Sequence, residues 1–394
     1  MKALGLIVEY NPFHNGHLYH LTESKKKSGA DVVIAVMSGQ FTQRGEPAVA
    51  DKWRRTKMAL DMGVDLIVEL PYAYATQYAE IFARGAVSIL THLKADYLIF
   101  GSESGNISEL NRFESLTSSP KFMELLQVGI QKGLNLPRSQ SFALQELGIN
   151  PAPAQEPNNT LGVHYIRALR ELKSPTLPET ISRLHSRYSD GVPNHHSIAS
   201  ATSIRVLLEK GDPVDSYIPS PVLNQLTLDG TIPSWEPYYT VLRQKILTLG
   251  PDGLKEIHDV KEGIESRIYE SAMRSNSFEE LVKGVKTKRY TQTRIQRICA
   301  HILTHTTSLF IENSNLNGPV PYLRVLGMST AGRLYLNQIK KEIPVPIYSK
   351  FSSSGPPMLK HEQKVTAAYG CVLSPSRWTR LNLDEFSRFP LLKD

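Results

Sequence analysis

Four short apolar runs rich in β-branched residues punctuate the first hundred positions. They are Ala3-Leu4-Gly5-Leu6-Ile7-Val8, Val32-Val33-Ile34-Ala35-Val36, Leu66-Ile67-Val68-Glu69-Leu70 and Tyr97-Leu98-Ile99-Phe100, and segments of helical spacing separate them. A strand that is apolar along its whole length has to be covered on both faces, and helix-length crossovers leave such strands parallel. The expected fold is α/β, a doubly wound parallel sheet whose ligand lies outside the carboxyl ends of the strands. The stretches after those ends are polar or small, as a ligand requires: Glu9-Tyr10-Asn11-Pro12-Phe13-His14, Met37-Ser38-Gly39-Gln40 and Gly101-Ser102-Glu103.

The first of these stretches leads into His14-Asn15-Gly16-His17. Asn11-Pro12 signals a turn, Leu18, Leu21 and Thr22 continue at helical spacing, and Gly29 supplies a stop. The mouth of a helix offers free backbone N–H groups and glycine permits close approach, so two imidazoles flanking a glycine there read as a phosphate site. The histidines would stabilise charge. Taken alone, H-x-G-H fits ordinary surface histidines as well; the strand, loop, helix order gives it weight.

Helical patterns dominate from about Asn106 to Lys173, with an amphipathic run from Leu161 to Leu172, and Ile181 to Arg187 reads as a further short strand. His195-His196-Ser197-Ile198-Ala199-Ser200-Ala201-Thr202-Ser203-Ile204-Arg205 then enters a helix ending near Gly211. In it Ser200 and Thr202 can cap the helix and face an anion, and Arg205 adds a fixed cationic fork. A plain cap with an exposed arginine is the alternative. Asp212-Pro213 and the Pro219–Pro221 pair mark a boundary, which divides the chain into 1–220 and 221–394.

Beyond Pro237 the helices become rich in lysine and arginine up to about His305, and a final α/β-like part follows with strand candidates Tyr322–Leu326 and Val345–Tyr348. Lys283, Lys286, Lys288, Arg289, Arg294 and Arg297, with Tyr290 among them, suit a polyanion, for which the cations would neutralise phosphates and the tyrosine would stack; a solvated helix face is the alternative. A formal net charge of +7 agrees with such a partner. Lys52, Arg54 and Arg55 read as a solvated helix face. His301 and His305 share a helical face, but no glutamate follows His301, so they are structural or RNA-facing and no metal ligand is expected.

Other classes are disfavoured. At 394 residues and 41% apolar content the chain has material for more than one domain. No run approaches the roughly 20 apolar residues that span a bilayer, and the start lacks a cleavage pattern, so no membrane partner and a cytoplasmic location are expected. Two cysteines, Cys299 and Cys371, support neither a disulfide framework nor a thiolate metal site, and both are expected to be buried.

The two motifs together resemble the HIGH-motif nucleotidyltransferases, whose signatures are H-x-G-H after the first strand and I-S-S-T-x-I-R before a late helix. The first is intact. In the second, Ser200, Thr202, Ile204 and Arg205 match, whereas Ala199 and Ala201 stand where the family has isoleucine and serine. Longer strings extend the resemblance to the bacterial tRNA(Met) cytidine acetate ligase family. These are Val8 through His17, Ala35 through Phe41 with Gln43 through Ala48, Phe100-Gly101-Ser102-Glu103, Pro157-Asn158-Asn159 and Lys286-Thr287-Lys288-Arg289-Tyr290-Thr291.

That resemblance implies a Rossmann-like sheet of the HIGH nucleotidyltransferase type with a C-terminal basic helical and α/β part. It also implies two steps: acetate and ATP give acetyl-adenylate and pyrophosphate, and the acetyl group passes to N4 of the wobble cytidine, position 34, of elongator tRNA(Met). His14, His17 and Arg205 would be catalytic, with the Gly16 backbone as a further donor. ATP would lie against Ile7, Val8, Glu9, Tyr10, Asn11, Pro12, Phe13, His14, Asn15, Gly16, His17, Leu18, Tyr19 and His20. Gly101, Asn159, Arg183, Ser200 and Thr202 would complete its site, although Asn159 is as well suited to cap the helix at Thr160. The loop from Ser38 to Glu46 would shape an acyl pocket, or simply connect. Mg²⁺ would travel with the nucleotide, and no protein partner is implied.

The implied roles are an adenylating part, 1–220, and a tRNA-binding part, 221–394. A small-molecule adenylyltransferase that joins AMP to a phosphorylated cofactor precursor shares the first motif, but it has no need of the basic later half. A non-enzymatic RNA-binding protein on the same fold has no need of the histidines and Arg205.

Overall fold

A computed structural model of the chain describes residues 1–151, 156–183, 197–227 and 232–394. Among the described residues eight strands, β1 (Ala3–Val8), β2 (Val32–Ser38), β3 (Leu66–Leu70), β4 (Tyr97–Ser102), β5 (Leu177–Ser182), β6 (Leu323–Ser329), β7 (Ile347–Tyr348) and β8 (Leu391–Lys393), form one sheet. Its order is β5-β4-β1-β2-β3-β6-β7, with β8 also on β6. The first five strands are mutually parallel. Successive side chains alternate between two cores: Leu4, Leu6, Val33, Ala35 and Met37 point to one, Ala3, Val32, Ile34 and Val36 to the other. Burial on both faces is what continuous apolar strands require.

The fifth strand lies earlier than the sequence suggests. It runs from Leu177 to Ser182 and pairs with β4 in the register Tyr97↔Leu177 to Ser102↔Ser182; residues 184–187 of the expected segment lie outside the described residues. It is an edge strand, where Pro178 and Glu179 are tolerated, and their presence hid it from an apolar pattern.

The late strand candidates build no sheet of their own. β6 lies antiparallel to β3, with Leu66 opposite Met328 and Val68 opposite Val325, so the end of the chain completes the sheet begun by its start. A buried ion network fastens that seam. Lys52 Nζ meets Glu69 at 2.6 Å and Glu385 at 3.0 Å, Arg324 meets Glu69 at 3.3 Å and also pairs with Glu385, and all four side chains are within 1% of full burial. Thr366 Oγ1 donates to Glu385 at 3.0 Å. Burial alone would raise the Glu385 carboxyl, but Arg324 and Lys52 outweigh it and hold it at about 2.

Lys52 and Arg55 are therefore not a solvated face: both are fully buried. Arg55 donates to the carbonyls of Ala50 (2.9 Å), Glu9 (2.7 Å), Ser38 (3.1 Å) and Gly39, gathering the chain at the carboxyl ends of β1 and β2. His301 is structural, its Nδ1 3.0 Å from the Tyr72 hydroxyl. Cys299 is buried but Cys371 is exposed, because it follows the Pro357–Gly370 helix at its end.

Glu362 adjoins this network, accepting the Tyr72 N–H at 2.7 Å. Burial, and then the charge of Glu69, push it up to about 8 from the usual 4.5. The folded protein thus keeps a proton that the unfolded chain releases, and its stability declines as pH rises from about 4.5 to about 8. Glu362→Gln, which mimics the protonated acid, is expected to flatten that decline; urea unfolding at the two ends of the window checks it.

Candidate functional site

β1 ends in a turn with Tyr10 in the left-handed region (φ 48°), and the chain then starts the Asn15–Ser28 helix with His14 as its cap. The Gly16 N–H donates to His14 Nδ1 at 3.0 Å, and the His14 N–H donates to His17 Nδ1 at 3.3 Å. Each Nδ1 is an acceptor, so each neutral ring carries its proton on Nε2. The two rings lie with centroids 3.8 Å apart. Burial, then the Arg183 and Arg205 charges, push His14 down to about 3, and burial with His14 and His20 lowers His17 well below its usual value. The pair therefore offers two uncharged Nε2–H donors.

The Gly16 N–H is thus engaged by His14 in this structure, and the glycine also supplies space, since a Cβ there would stand 2.8 Å from His14 Cε1.

Asn15 couples the two motifs. Its Nδ2 donates to the carbonyls of Ser197 (2.9 Å) and Ser216 (3.0 Å), and its N–H to Tyr217 O (2.9 Å), which brings the Ala201–Lys210 helix against the histidine turn. Ser200 caps that helix, accepting the Ser203 N–H at 3.0 Å. Arg205 reaches back to Asn11 O (3.0 Å), Thr202 Oγ1 (3.3 Å) and Glu46 (2.9 Å).

Together these elements enclose a cavity of about 570 Å³ at the carboxyl ends of β1, β4 and β5. Of the residues singled out in the sequence, Ile7, Val8, Glu9, Tyr10, Asn11 and His14 line it. So do Gly16, His17, Tyr19 and His20, and across the cleft Gly101, Arg183, Ser200, Thr202 and Arg205. Burial raises the Glu9 carboxyl, whose Oε1 accepts the Gln43 N–H at 2.6 Å. The Arg183 Nε and His20 Nε2 atoms are buried without a hydrogen-bond partner among the described residues.

Pro12, Phe13, Asn15, Leu18 and Asn159 are not among the lining residues. Phe13 is core, and Asn15 serves as the tie just described. Asn159 lies inside the Pro157–Glu171 helix, not at its cap; its Oδ1 accepts the Ser104 N–H at 3.1 Å and its N–H donates to Glu103 at 2.9 Å. Its neighbours Asn158 and Thr160 face the cavity, as do Gln43, Arg44 and Glu46 of the loop after β2. Thr293 and Tyr165 also line it, and no local pattern marked either. His195 and His196 lie outside the described residues.

A second cavity, of about 980 Å³, adjoins the first and shares Glu46 and Arg205 with it. Lys283 and Lys286 line it; they, Lys288 and Arg289 are exposed. Arg294 and Arg297 are more engaged, at 3.1 and 4.0 Å from Asp259. Tyr290 is not available for stacking on a base: it is 7% exposed, its hydroxyl donates to Glu262 O at 2.9 Å, and Arg294 covers its ring.

A pattern for the family described as HIGH Nucleotidyl Transferase matches residues 1–382. The chain is 42% identical to the tRNA(Met) cytidine acetate ligase of Geobacillus sp. (strain WCH70), with 100% of each covered. It is 39% identical to the protein of that name from Bacillus subtilis (strain 168), with 100% of this chain and 98% of that one covered. The crystal structure of apo Thermotoga maritima TmcAL is similar at TM-score 0.92 and 32% identity, over 100% of this chain and 99% of that one. The same protein bound with alpha-thio ATP gives 0.90 and 31%, with the same coverage.

Proposed function

The chain belongs to the HIGH nucleotidyl transferase family, among the tRNA(Met) cytidine acetate ligases, and from that premise we propose how its cavities divide the work. It is an ATP-dependent, carbon–nitrogen bond-forming ligase that modifies tRNA(Met). In the first step an acetate oxygen attacks the α-phosphorus of ATP, and the bond to the bridging oxygen breaks as pyrophosphate leaves. In the second, N4 of the cytidine at position 34 of elongator tRNA(Met) takes the acetyl group and AMP departs.

The observation that carries the reading is the convergence of the His14 and His17 donors with Arg183 and Arg205 on one cavity, in a chain that matches these ligases end to end. Phosphate oxygens gain charge as the first step proceeds. Donors already aimed at that place stabilise it without covalent chemistry. Neutral imidazoles suit the task, since both rings donate at any pH above their depressed titration.

Among the described residues no group of three or more His, Cys, Asp or Glu side chains is placed to hold a metal ion. In this reading Mg²⁺ enters with the triphosphate. Residues 1–220 carry the adenylation machinery. Residues 221–394 meet the tRNA through Lys283, Lys286, Lys288 and Arg289, even though their strands share the first part's sheet. No helix among the described residues is long and apolar enough to cross a membrane, and a tRNA substrate suits a cytoplasmic enzyme.

Incubation with ATP, Mg²⁺, labelled acetate and a tRNA pool is expected to label elongator tRNA(Met) at its wobble cytidine. Label that appeared instead on a phosphorylated cofactor precursor would overturn the reading in favour of a small-molecule adenylyltransferase.

A further inference from the structure

Two cavities that share a wall pose a question of chemistry, because the second step must bring an RNA base to an intermediate formed in the first. The wall contains Glu46 and Arg205, which line both cavities. Among the described residues the first cavity has one other carboxylate, Glu9, whose Oε1 is occupied by the Gln43 N–H. Among the described residues the second has Glu209, Glu236 and Glu279, none of which lines the first. Glu236 is committed elsewhere, accepting the backbone N–H groups of Phe278 (3.0 Å) and Glu279 (3.1 Å).

Glu46 is firmly placed. Its carbonyl accepts the Thr42 N–H at 2.9 Å, Phe41 bridges to Pro47, and its carboxylate is held by Arg205 at 2.9 Å. Gly45, in the left-handed region at φ 85°, lets the loop lie directly on the Gln292–Thr304 helix, where a Cβ would stand 2.5 Å from Arg297 N. The first turn of that helix also serves both cavities, with Thr293 in one and Gln292 in the other. The Glu46 side chain is a quarter exposed, so it remains open on one side.

We propose that the acceptor cytidine enters by the second cavity and that Glu46 binds its N4 amine and takes its proton. A carboxylate is the side chain that complements the cytosine amine, which is a donor. The exposed Lys283 and Lys286 at the same cavity suit the flanking phosphates. The N4 lone pair attacks the acetyl carbonyl carbon, the N–C bond forms, the acyl C–O bond breaks with its electron pair leaving on AMP, and one amine proton passes to the Glu46 carboxylate. This inference rests on the ligase reading above and names the missing base of its second step.

Two measurements separate the steps: acetate-dependent ATP–pyrophosphate exchange reports the first, and single-turnover acetyl transfer to an unmodified elongator tRNA(Met) transcript reports the second. Glu46→Gln, which keeps a hydrogen bond to Arg205, is expected to retain exchange and tRNA affinity but to lose transfer by about 10²-fold or more. Glu46→Asp restores the carboxylate and is expected to recover part of the loss. Transfer at the wild-type rate in Glu46→Gln, or exchange falling as far as transfer, overturns the proposal; the latter would mean that Glu46 only holds Arg205. A wild-type protein that adenylates but acetylates no tRNA overturns the ligase reading itself, with this inference.

Discussion

Replacing His14 or His17 by alanine is expected to slow acetate adenylation by about 10²–10³ for each, the loss typical of one preorganised donor to a developing oxyanion. Loss of His14 also leaves the Gly16 N–H without its acceptor, which costs about 1 kcal/mol of stability, as removal of a helix cap does. That is too little to unfold the protein and is separable by thermal denaturation. Affinity for tRNA is expected to survive, because the exposed cations Lys283, Lys286, Lys288 and Arg289 lie on another segment. Collapse of tRNA binding in a folded variant would refute this division.

The same geometry makes a statement about pH. A histidine held at about 3 stays neutral through the range where imidazole ordinarily titrates. The wild-type adenylation rate should therefore run level across pH 6.5, and an inflection there that vanished in His14→Ala would contradict the neutral-donor mechanism. Stability behaves differently. The unfolded chain binds protons to these histidines below their ordinary pKa while the folded chain does not, so they draw stability down as pH falls below about 6.5 towards about 3.

The second large effect is expected from Glu385→Ala. Near neutrality Glu362 holds a proton, so Lys52 and Arg324 are balanced by Glu69 and Glu385. Removing Glu385 leaves one buried positive charge without a counterpart, and breaking such a pair typically costs about 3–5 kcal/mol. The denaturation midpoint should fall accordingly. A double variant, Glu385→Ala with Lys52→Met, removes one charge of each sign and should be more stable than the single Glu385→Ala protein. If the single variant unfolded like the wild type, the seam between β3 and β6 would not depend on these charges.

The central strands and the histidine turn were legible because both are local. Val32 to Val36 can only be a strand covered on two sides, and H-x-G-H after such a strand points to the helix mouth. The capping role of His14 was not legible, because which atom takes the Gly16 N–H depends on a rotamer. Lys52 and Arg55 were misread for a related reason: a cation looks like surface until its partners are known, and those partners are Glu69, the carbonyl oxygens of Glu9, Ser38 and Gly39, which come from other elements, and Glu385, which is 333 residues from Lys52. Tyr290 likewise took its meaning from Glu262 O, and Glu46 from Arg205. Periodicity reports burial and local dihedrals; it does not report partners.

The antiparallel pairing of β6 with β3 has a consequence for synthesis. A ribosome completes β3 near residue 70 and reaches β6 only at residue 323. At about 5–20 residues per second the edge of β3 waits on the order of 10–50 seconds for its neighbour. During that time Lys52 and Glu69 also lack Arg324 and Glu385. An unpaired apolar edge invites other strands, so conditions that slow translation should lower the soluble yield of this chain more than they lower the stability of the finished protein.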